Sequence, residues 1–191
     1  MARTASTQRL VLGTAAPDFT LPDPHGKLWS REKCAQGKPL VVVFACNHCP
    51  YVVHIREALG RIAAEFIPKG ISFVAINSND ADQYPEDAPD KMPAFAQEAG
   101  WHFPYLVDSS QTVAHAWHAA CTPDIFVLDA LGHLVYAGQF DSTRPKSGAV
   151  ASGADLRSVL QSILAGHSVP SPQVPSLGCN IKWKPGNEPK S

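Results

Sequence analysis

The apolar run over residues 39–45, Pro-Leu-Val-Val-Val-Phe-Ala, is the feature that most restricts how this chain folds. A continuous run of β-branched and aromatic residues is typical of a strand buried on both faces of a sheet. A single apolar helical stripe follows it, made of Val52, Ile55, Leu59, Ile62 and Phe66. A second apolar run occupies 71–76. Because parallel neighbouring strands need a crossover, this order predicts a βαβ unit.

The later patterns extend this unit into an α/β domain. They predict an extended segment at 16–21 closing in a turn, helices at 91–99, 112–119 and 154–165, a short strand at 105–108, and a hairpin of strands 125–128 and 133–138. Ser152 and Asp155 are predicted to form a capping box for the last helix. We therefore expect a central mixed β-sheet flanked by helices on both faces.

The length of 191 residues suits one domain, which we assign to residues 13–166. Residues 1–12 are expected to be a mobile N-terminus. After Gly166, five of the 17 prolines fall within 25 residues. This density predicts that residues 167–191 lack regular structure and pack on the domain as an extended, Pro-rich strap.

Charge and hydropathy exclude several classes of protein. The 16 basic and 17 acidic residues give a formal net charge of −1, which argues against a nucleic-acid partner. No stretch reaches the roughly 18 apolar residues of a membrane span. The N-terminus has no apolar core of a secretory signal, so we expect a reducing, cytoplasmic setting.

Five cysteines are present, and two of them lie where the first buried strand meets the helix, as Cys46-Asn47-His48-Cys49. Residues i and i+3 on a helical turn are about 5–6 Å apart, within reach of a disulfide. The free N–H groups of a helix N-terminus lower the pKa of a thiol, and His48 adds positive charge beside the sulfurs. The strand–CxxC–helix context favours a redox-active pair of cysteines.

Pro50 bears on which cysteine is the nucleophile. Proline is best tolerated at the first helical position, which makes Cys49 the N-cap residue nearest the free amides. On this argument Cys49 is the better-stabilised thiolate. The usual expectation for a CxxC pair is that the first cysteine, here Cys46, attacks. The sequence leaves this choice open.

A metal module is the alternative from another class. Cys46 and Cys49 would then bind copper or zinc together with a histidine from a later loop, and His102, His115 and His133 are the candidates. The redox interpretation requires neither a metal nor another cofactor.

Three further motifs carry a resemblance to a known family. They are Thr122-Pro123 ahead of the predicted hairpin, the opening Gly-Thr-Ala-Ala-Pro-Asp-Phe-Thr-Leu of residues 13–21, and the closing Gly-Cys-Asn-Ile-Lys-Trp-Lys-Pro of residues 178–185. Together with the CxxC they resemble the thioredoxin-like superfamily, over about residues 10–166. Within it the chain is similar to the alkyl hydroperoxide reductase/thiol-specific antioxidant branch, in the peroxiredoxin-like subgroup that retains a CxxC.

The resemblance implies a cis Pro123 that faces the CxxC, with backbone groups offered to a bound thiol or peptide. In peroxiredoxins the peroxidatic cysteine precedes a proline and follows a Thr or Ser by three residues. Cys49-Pro50 matches this pattern, whereas Cys46 replaces the hydroxyl residue. No arginine lies close in sequence to Thr122-Pro123, and Arg56 and Arg144 are the distant candidates for activating peroxide.

These observations predict a thiol–disulfide oxidoreductase with an antioxidant role in redox homeostasis. A thiol-dependent peroxidase with Cys49 peroxidatic and Cys46 resolving is the close alternative. The expected partners are a disulfide-containing or peroxide substrate and a thioredoxin- or glutathione-type reductant. Of the other thiols, Cys121 is expected near the pair, Cys179 either resolves a disulfide or packs under the strap, and Cys34 has no predicted role.

Overall fold

The computed structural model describes residues 3–7 and 9–189, which form an α/β fold. In chain order, its elements are β1 (Arg3–Ala5), β2 (Thr20–Pro22), β3 (Leu28–Ser30), α1 (Arg31–Ala35), β4 (Leu40–Phe44), α2 (Pro50–Phe66), β5 (Ser72–Asn77), α3 (Met92–Glu98), β6 (Tyr105–Val107), α4 (Thr112–Ala116), β7 (Cys121–Thr122), β8 (Asp124–Leu128), β9 (Leu134–Gly138), α5 (Ala154–Leu164) and β10 (Leu177–Asn180). Two short 3₁₀ turns, Pro85–Asp87 and Pro89–Lys91, precede α3.

The main sheet has five strands in the order β6-β5-β4-β8-β9. β4, β5 and β6 are parallel, whereas β8 runs antiparallel to β4 and pairs with β9 as a hairpin. The predicted mixed sheet, βαβ unit and hairpin are therefore confirmed. Thr20–Pro22 and Leu28–Ser30 pair as a separate hairpin; the sequence predicted the extended segment and its turn but not the second strand.

Alternate residues of β4 enter two cores, one on each face of the sheet. Val41 and Val43 pack with the apolar stripe of α2, whereas Val42 and Phe44 pack with Trp117 on the opposite face. Every residue of β4 is essentially inaccessible to water. This double burial explains why the strand is a continuous apolar run rather than an alternating one.

A smaller sheet of three short strands joins the two ends of the described chain in the order β1-β10-β7. Cys179 pairs with Arg3 on one side and with Thr122 on the other. The prediction of a tail without regular structure is wrong for Leu177–Asn180, because backbone pairing on both sides fixes the strand. Arg3–Ala5, which lie in the segment predicted to be mobile, form the outer strand.

Several element ends differ from the predicted ones. The predicted capping box of α5 is wrong: the N-cap residue is Gly153, which adopts a left-handed conformation. The backbone N–H groups of Ser152 and Gly153 instead donate to the Asp141 carboxylate, at 2.8 and 2.7 Å.

The helix predicted at 112–119 ends at Ala116. The short helix α1, capped by the Ser30 side chain, was not predicted.

Within the described part of the chain, no helix is both long enough and apolar enough to cross a lipid bilayer.

Gly60 allows α2 to approach the segment after α3 closely. A Cβ at this position would lie 2.2 Å from the carbonyl oxygen of Ala99. Helix propensity alone predicts that Gly60→Ala stabilises the protein, by about 1 kcal/mol. We expect the clash to prevail and to lower the free energy of unfolding by about 1–3 kcal/mol, measured by denaturant titration. Glu57→Ala on the exposed face of the same helix is the control, and a stabilised Gly60→Ala variant would contradict this packing.

Candidate active site

The site begins where β4 ends and α2 starts. The backbone N–H of Ala45 still bonds to Ile76 O of β5, at 2.9 Å, so the chain leaves the sheet just before Cys46. Cys49 is the N-cap residue of α2, with extended backbone angles, and Pro50 occupies the first turn. The predicted capping arrangement is confirmed, with Cys46 in the preceding turn.

Thr122, the residue before Pro123, lies directly against the two cysteines. The β4–β8 register places Phe44 opposite Asp124, which brings the residues after β4 beside those before β8. The Cys49 sulfur lies 3.1 Å from the carbonyl oxygen of Thr122, and the Cys46 sulfur lies 3.5 Å from the Thr122 hydroxyl. The Thr122–Pro123 peptide bond is cis, as the resemblance implied.

Burial and hydrogen bonding give the two thiols different acidities. Cys46 and Cys49 are exposed by only 1% and 0%. Burial raises the pKa of Cys46 well above that of a free thiol. A hydrogen bond from the Cys46 thiol lowers the pKa of Cys49, and this effect outweighs burial. Cys179, Thr122 and the backbone N–H of Val52 add hydrogen bonds that lower it further. The negative charge of the pair therefore lies on Cys49.

His48 is held by a carboxylate that the sequence analysis missed. His48 Nδ1 lies 2.6 Å from Asp87 Oδ2, and this hydrogen bond raises the pKa of His48. The imidazole stacks on Tyr84, with ring centres 5.4 Å apart and planes 4° apart. A charged imidazolium is thereby favoured beside the thiolate of Cys49.

Asp87 also organises the CxxC backbone. Its Oδ1 accepts the backbone N–H groups of Asn47 and His48, at 2.8 and 3.2 Å, and its Oδ2 accepts Asn79 Nδ2 at 2.7 Å. Burial would raise the pKa of this carboxyl, but the hydrogen bonds from His48 and Asn79 hold the pKa below its usual value. The sequence did contain one indication that Asp87 lies at the site. The polar connection 77–90 follows β5, and the CxxC follows β4, so both begin at the same edge of the sheet.

The remaining thiols occupy three different settings. Cys179 lies against Cys49, as described above. Cys121 is buried two residues before Pro123, and this burial raises the pKa of Cys121 well above that of a free thiol. Cys34 belongs to the core on the opposite face of the sheet, and burial raises its pKa to about 12.

Comparison with known proteins identifies the family. Residues 12–137 match the AhpC/TSA family. The chain belongs to this family. A Mycobacterium tuberculosis protein named "Putative peroxiredoxin Rv2521" is 30% identical over 117 residues, which are 59% of this chain and 67% of that protein. Membership of the AhpC/TSA family makes the chain a thioredoxin-like redox protein and an oxidoreductase.

Solved structures extend the likeness beyond the family match. The crystal structure of a hypothetical protein from Sinorhizobium meliloti is 48% identical, has a TM-score of 0.92, and covers 96% of this chain and all of its own. A Chlorobium tepidum protein named "putative Thiol:disulfide interchange protein DsbE" has a TM-score of 0.66 at 19% identity, and the match covers 81% of this chain and 99% of that one. The second likeness confirms the thioredoxin-like fold.

The two candidate arginines lie in different places relative to this AhpC/TSA site. Arg56 pairs with Glu98 at 3.3 Å and lies over the ring of Phe95, so it is directed toward α3. Arg144 lines a groove together with Pro123. Its guanidinium donates to Asp141 O, Thr143 O and Gln139 Oε1 at 2.6–2.7 Å. Only Arg144, of these two, adjoins the cis-proline.

The histidines predicted to complete a metal site are not near the CxxC. His115 Nε2 contacts Asn187 O at 2.5 Å, and His133 pairs with Asp129 in the turn between β8 and β9. His102 precedes the amino end of β6, at the opposite edge of the parallel strands.

A different group of ligand atoms does converge at the site: those of Cys46, His48 and Asp87 lie within 4.8 Å of one another. The Asp87 carboxylate already accepts four hydrogen bonds, however, so an ion bound there would have to displace the His48 contact.

The assignment of charge to Cys49 predicts a specific titration. In the fully reduced protein, the ultraviolet absorbance of one thiolate should already be present at neutral pH. It should vanish in Cys49→Ser. Cys46→Ala should raise the pKa of Cys49, because it removes the hydrogen-bond donor with the largest effect. Cys34→Ala is the control and should leave the titration unchanged. A thiolate signal that survives in Cys49→Ser would contradict the assignment.

The His48–Asp87 contact predicts a second titration. Asp87→Asn should lower the pKa of His48, because the carboxylate stabilises the protonated imidazole. The imidazole C–H resonances followed by NMR against pH measure this change. Glu86→Gln is the matched control, since Glu86 contacts the site through its backbone carbonyl. An unchanged His48 titration in Asp87→Asn would show that the ion pair is not formed in solution.

Proposed function

We propose that this protein is a thiol–disulfide oxidoreductase in which Cys46 and Cys49 are the catalytic pair and Cys49 is the attacking thiolate. The observation that carries this proposal is the position of Cys49, at the N-cap of α2 with the Cys46 thiol donating to it. A thiolate with a neighbouring protonated thiol is the arrangement that attack followed by resolution requires.

The reaction follows from this pair. The Cys49 thiolate attacks one sulfur of a substrate disulfide, forms a mixed disulfide and releases the other substrate sulfur as a thiolate. Cys46 then loses its proton and attacks Cys49 Sγ, which forms the Cys46–Cys49 disulfide and releases the second substrate thiol. The substrate gains two electrons and the cysteine pair loses them, so an external dithiol or two monothiols must reduce the pair again.

The supporting residues act on the thiolate and on substrate position. The raised pKa of His48 favours positive charge beside Cys49, and a stabilised thiolate makes the pair a stronger oxidant. Pro50 keeps Cys49 at the helix N-terminus without losing a helical hydrogen bond. Thr122 contacts both sulfurs, and the cis Pro123 beside it shapes the adjoining groove.

A thiol-dependent peroxidase is the second candidate, favoured by the buried Cys49-Pro50 step and by Arg144 in the groove at Pro123. In this reaction the Cys49 thiolate attacks the terminal oxygen of a hydroperoxide and becomes a sulfenic acid; the O–O bond breaks, and the other oxygen takes up a proton and leaves as an alcohol or as water. Cys46 condenses with the sulfenic acid to a disulfide and water leaves.

For both candidates we propose a thioredoxin- or glutathione-type reductant and a cytoplasmic location. Five unpaired, buried thiols are consistent with a reducing compartment. The resulting role is redox homeostasis of an antioxidant kind, with disulfide or peroxide as the oxidant consumed.

The catalytic assignment is tested with Cys46→Ser and Cys49→Ser in disulfide-reduction and peroxide-reduction assays. Cys49→Ser should lose activity toward either oxidant, whereas Cys46→Ser should still be oxidised at Cys49 but form no Cys46–Cys49 disulfide. Cys34→Ser is the control and should keep wild-type activity. Wild-type inertness toward peroxide selects the disulfide reaction, and a fully active Cys49→Ser variant would refute the assignment.

A further inference from the structure

Cys49 has two thiol neighbours, although the CxxC motif contains only one. The Cys46 and Cys179 thiols both donate hydrogen bonds to the Cys49 thiolate. All three cysteines belong to one buried cluster on the α2 face of the sheet. Cys46 comes from the turn before α2, and Cys179 comes from β10.

The position of Cys179 is fixed by the backbone. It pairs with Thr122, the residue whose carbonyl oxygen lies 3.1 Å from the Cys49 sulfur. Gly178 allows β10 to lie this close to Thr122, because a Cβ at position 178 would lie 2.0 Å from Thr122 O. With β1 on its other side, β10 is the central strand of its sheet.

Contacts on either side of β10 hold the same segment in place. After β10, Lys182 N donates to Asn79 Oδ1 at 2.9 Å, and Lys182 O accepts Asp80 N and Gln111 Nε2 at 2.8 and 2.9 Å. Before it, Ser176 O accepts Ser6 N at 2.8 Å. The backbone that carries Cys179 therefore stays beside Thr122 unless the strand itself is displaced.

We propose that Cys179 is a second resolving cysteine, which competes with Cys46 for the sulfur of Cys49. This inference rests on the proposed function, because it requires that Cys49 first forms a mixed disulfide with substrate. The pairing of β10 with Thr122 places the Cys179 thiol beside the sulfur that it attacks.

The step is balanced in the same way as resolution by Cys46. Cys179 loses its proton, its sulfur attacks Cys49 Sγ, and the substrate sulfur leaves and takes up the proton. The product is a Cys49–Cys179 disulfide. It also interconverts with the Cys46–Cys49 disulfide by exchange: Cys179 attacks Cys49 and releases Cys46 as a thiol, with no net oxidation or reduction.

The Cys46→Ser variant isolates this second route. After addition of one equivalent of glutathione disulfide, we expect release of both glutathione molecules and formation of a Cys49–Cys179 disulfide, identified by peptide mass mapping. Cys46→Ser/Cys179→Ser should instead stop at Cys49 joined to one glutathione. Cys46→Ser/Cys34→Ser is the matched control and should still form the Cys49–Cys179 bond.

Placement is tested separately from the presence of the thiol. Gly178→Ala in the Cys46→Ser background keeps Cys179 but pushes β10 away from Thr122, so release of the second glutathione should slow by about a hundredfold. Circular dichroism and a denaturation curve establish that the variant is folded. Release at the rate of Cys46→Ser in a folded variant would overturn the placement argument.

The two proposals fail in different ways. If wild-type protein forms the Cys46–Cys49 disulfide but Cys46→Ser stops at the glutathione adduct with Cys179 free, the second route is refuted and the proposed function stands. If Cys49 of the wild type takes up no glutathione and forms no disulfide, both proposals are refuted.

Discussion

The antiparallel pairing of β4 with β8 is the constraint on which the site depends. It joins a strand that leads into the CxxC to a strand that starts after the cis-proline, although about 75 residues separate them in the chain. Because β4 is buried on both faces, a shift of one residue would exchange its two core faces, so this register is strongly specified. The apolar strand thus sets the distance between Cys49 and Thr122 as well as the stability of the sheet.

Burial of the two thiols makes a negative charge on either sulfur unfavourable, and hydrogen bonds within the site offset this cost for Cys49. Two thiolates side by side in an apolar cluster would be costly, and so would a single unsolvated one. The protein keeps Cys46 protonated and uses its proton to stabilise Cys49. His48 and Asp87 add a second, more distant charge pair at the same helix start. Both arrangements favour a reduced pair, which is a property of oxidising dithiol sites.

The sequence alone predicted the features that depend on local pattern. The buried run of β4, the stripe of α2, the hairpin and the N-cap position of Cys49 follow from hydropathy and from the backbone chemistry of proline. Features that depend on distant partners were missed. Leu177–Asn180 has no strand pattern of its own and becomes a strand because β1 and β7 flank it. Asp87 is one of several carboxyls in a polar connection, and only the meeting of two strand ends selects it.

The pairing of β10 with Thr122 has a consequence for what can pair beside Thr122. The chain's own backbone occupies the strand position beside Thr122, and a tethered segment competes at an effective concentration on the order of millimolar. An extended polypeptide that pairs with the same backbone groups has to displace this strand. A Cys49–Cys179 disulfide would hold β10 in this position covalently and make its displacement harder still. The strand position beside Thr122 is therefore closed to a second extended chain unless β10 moves away.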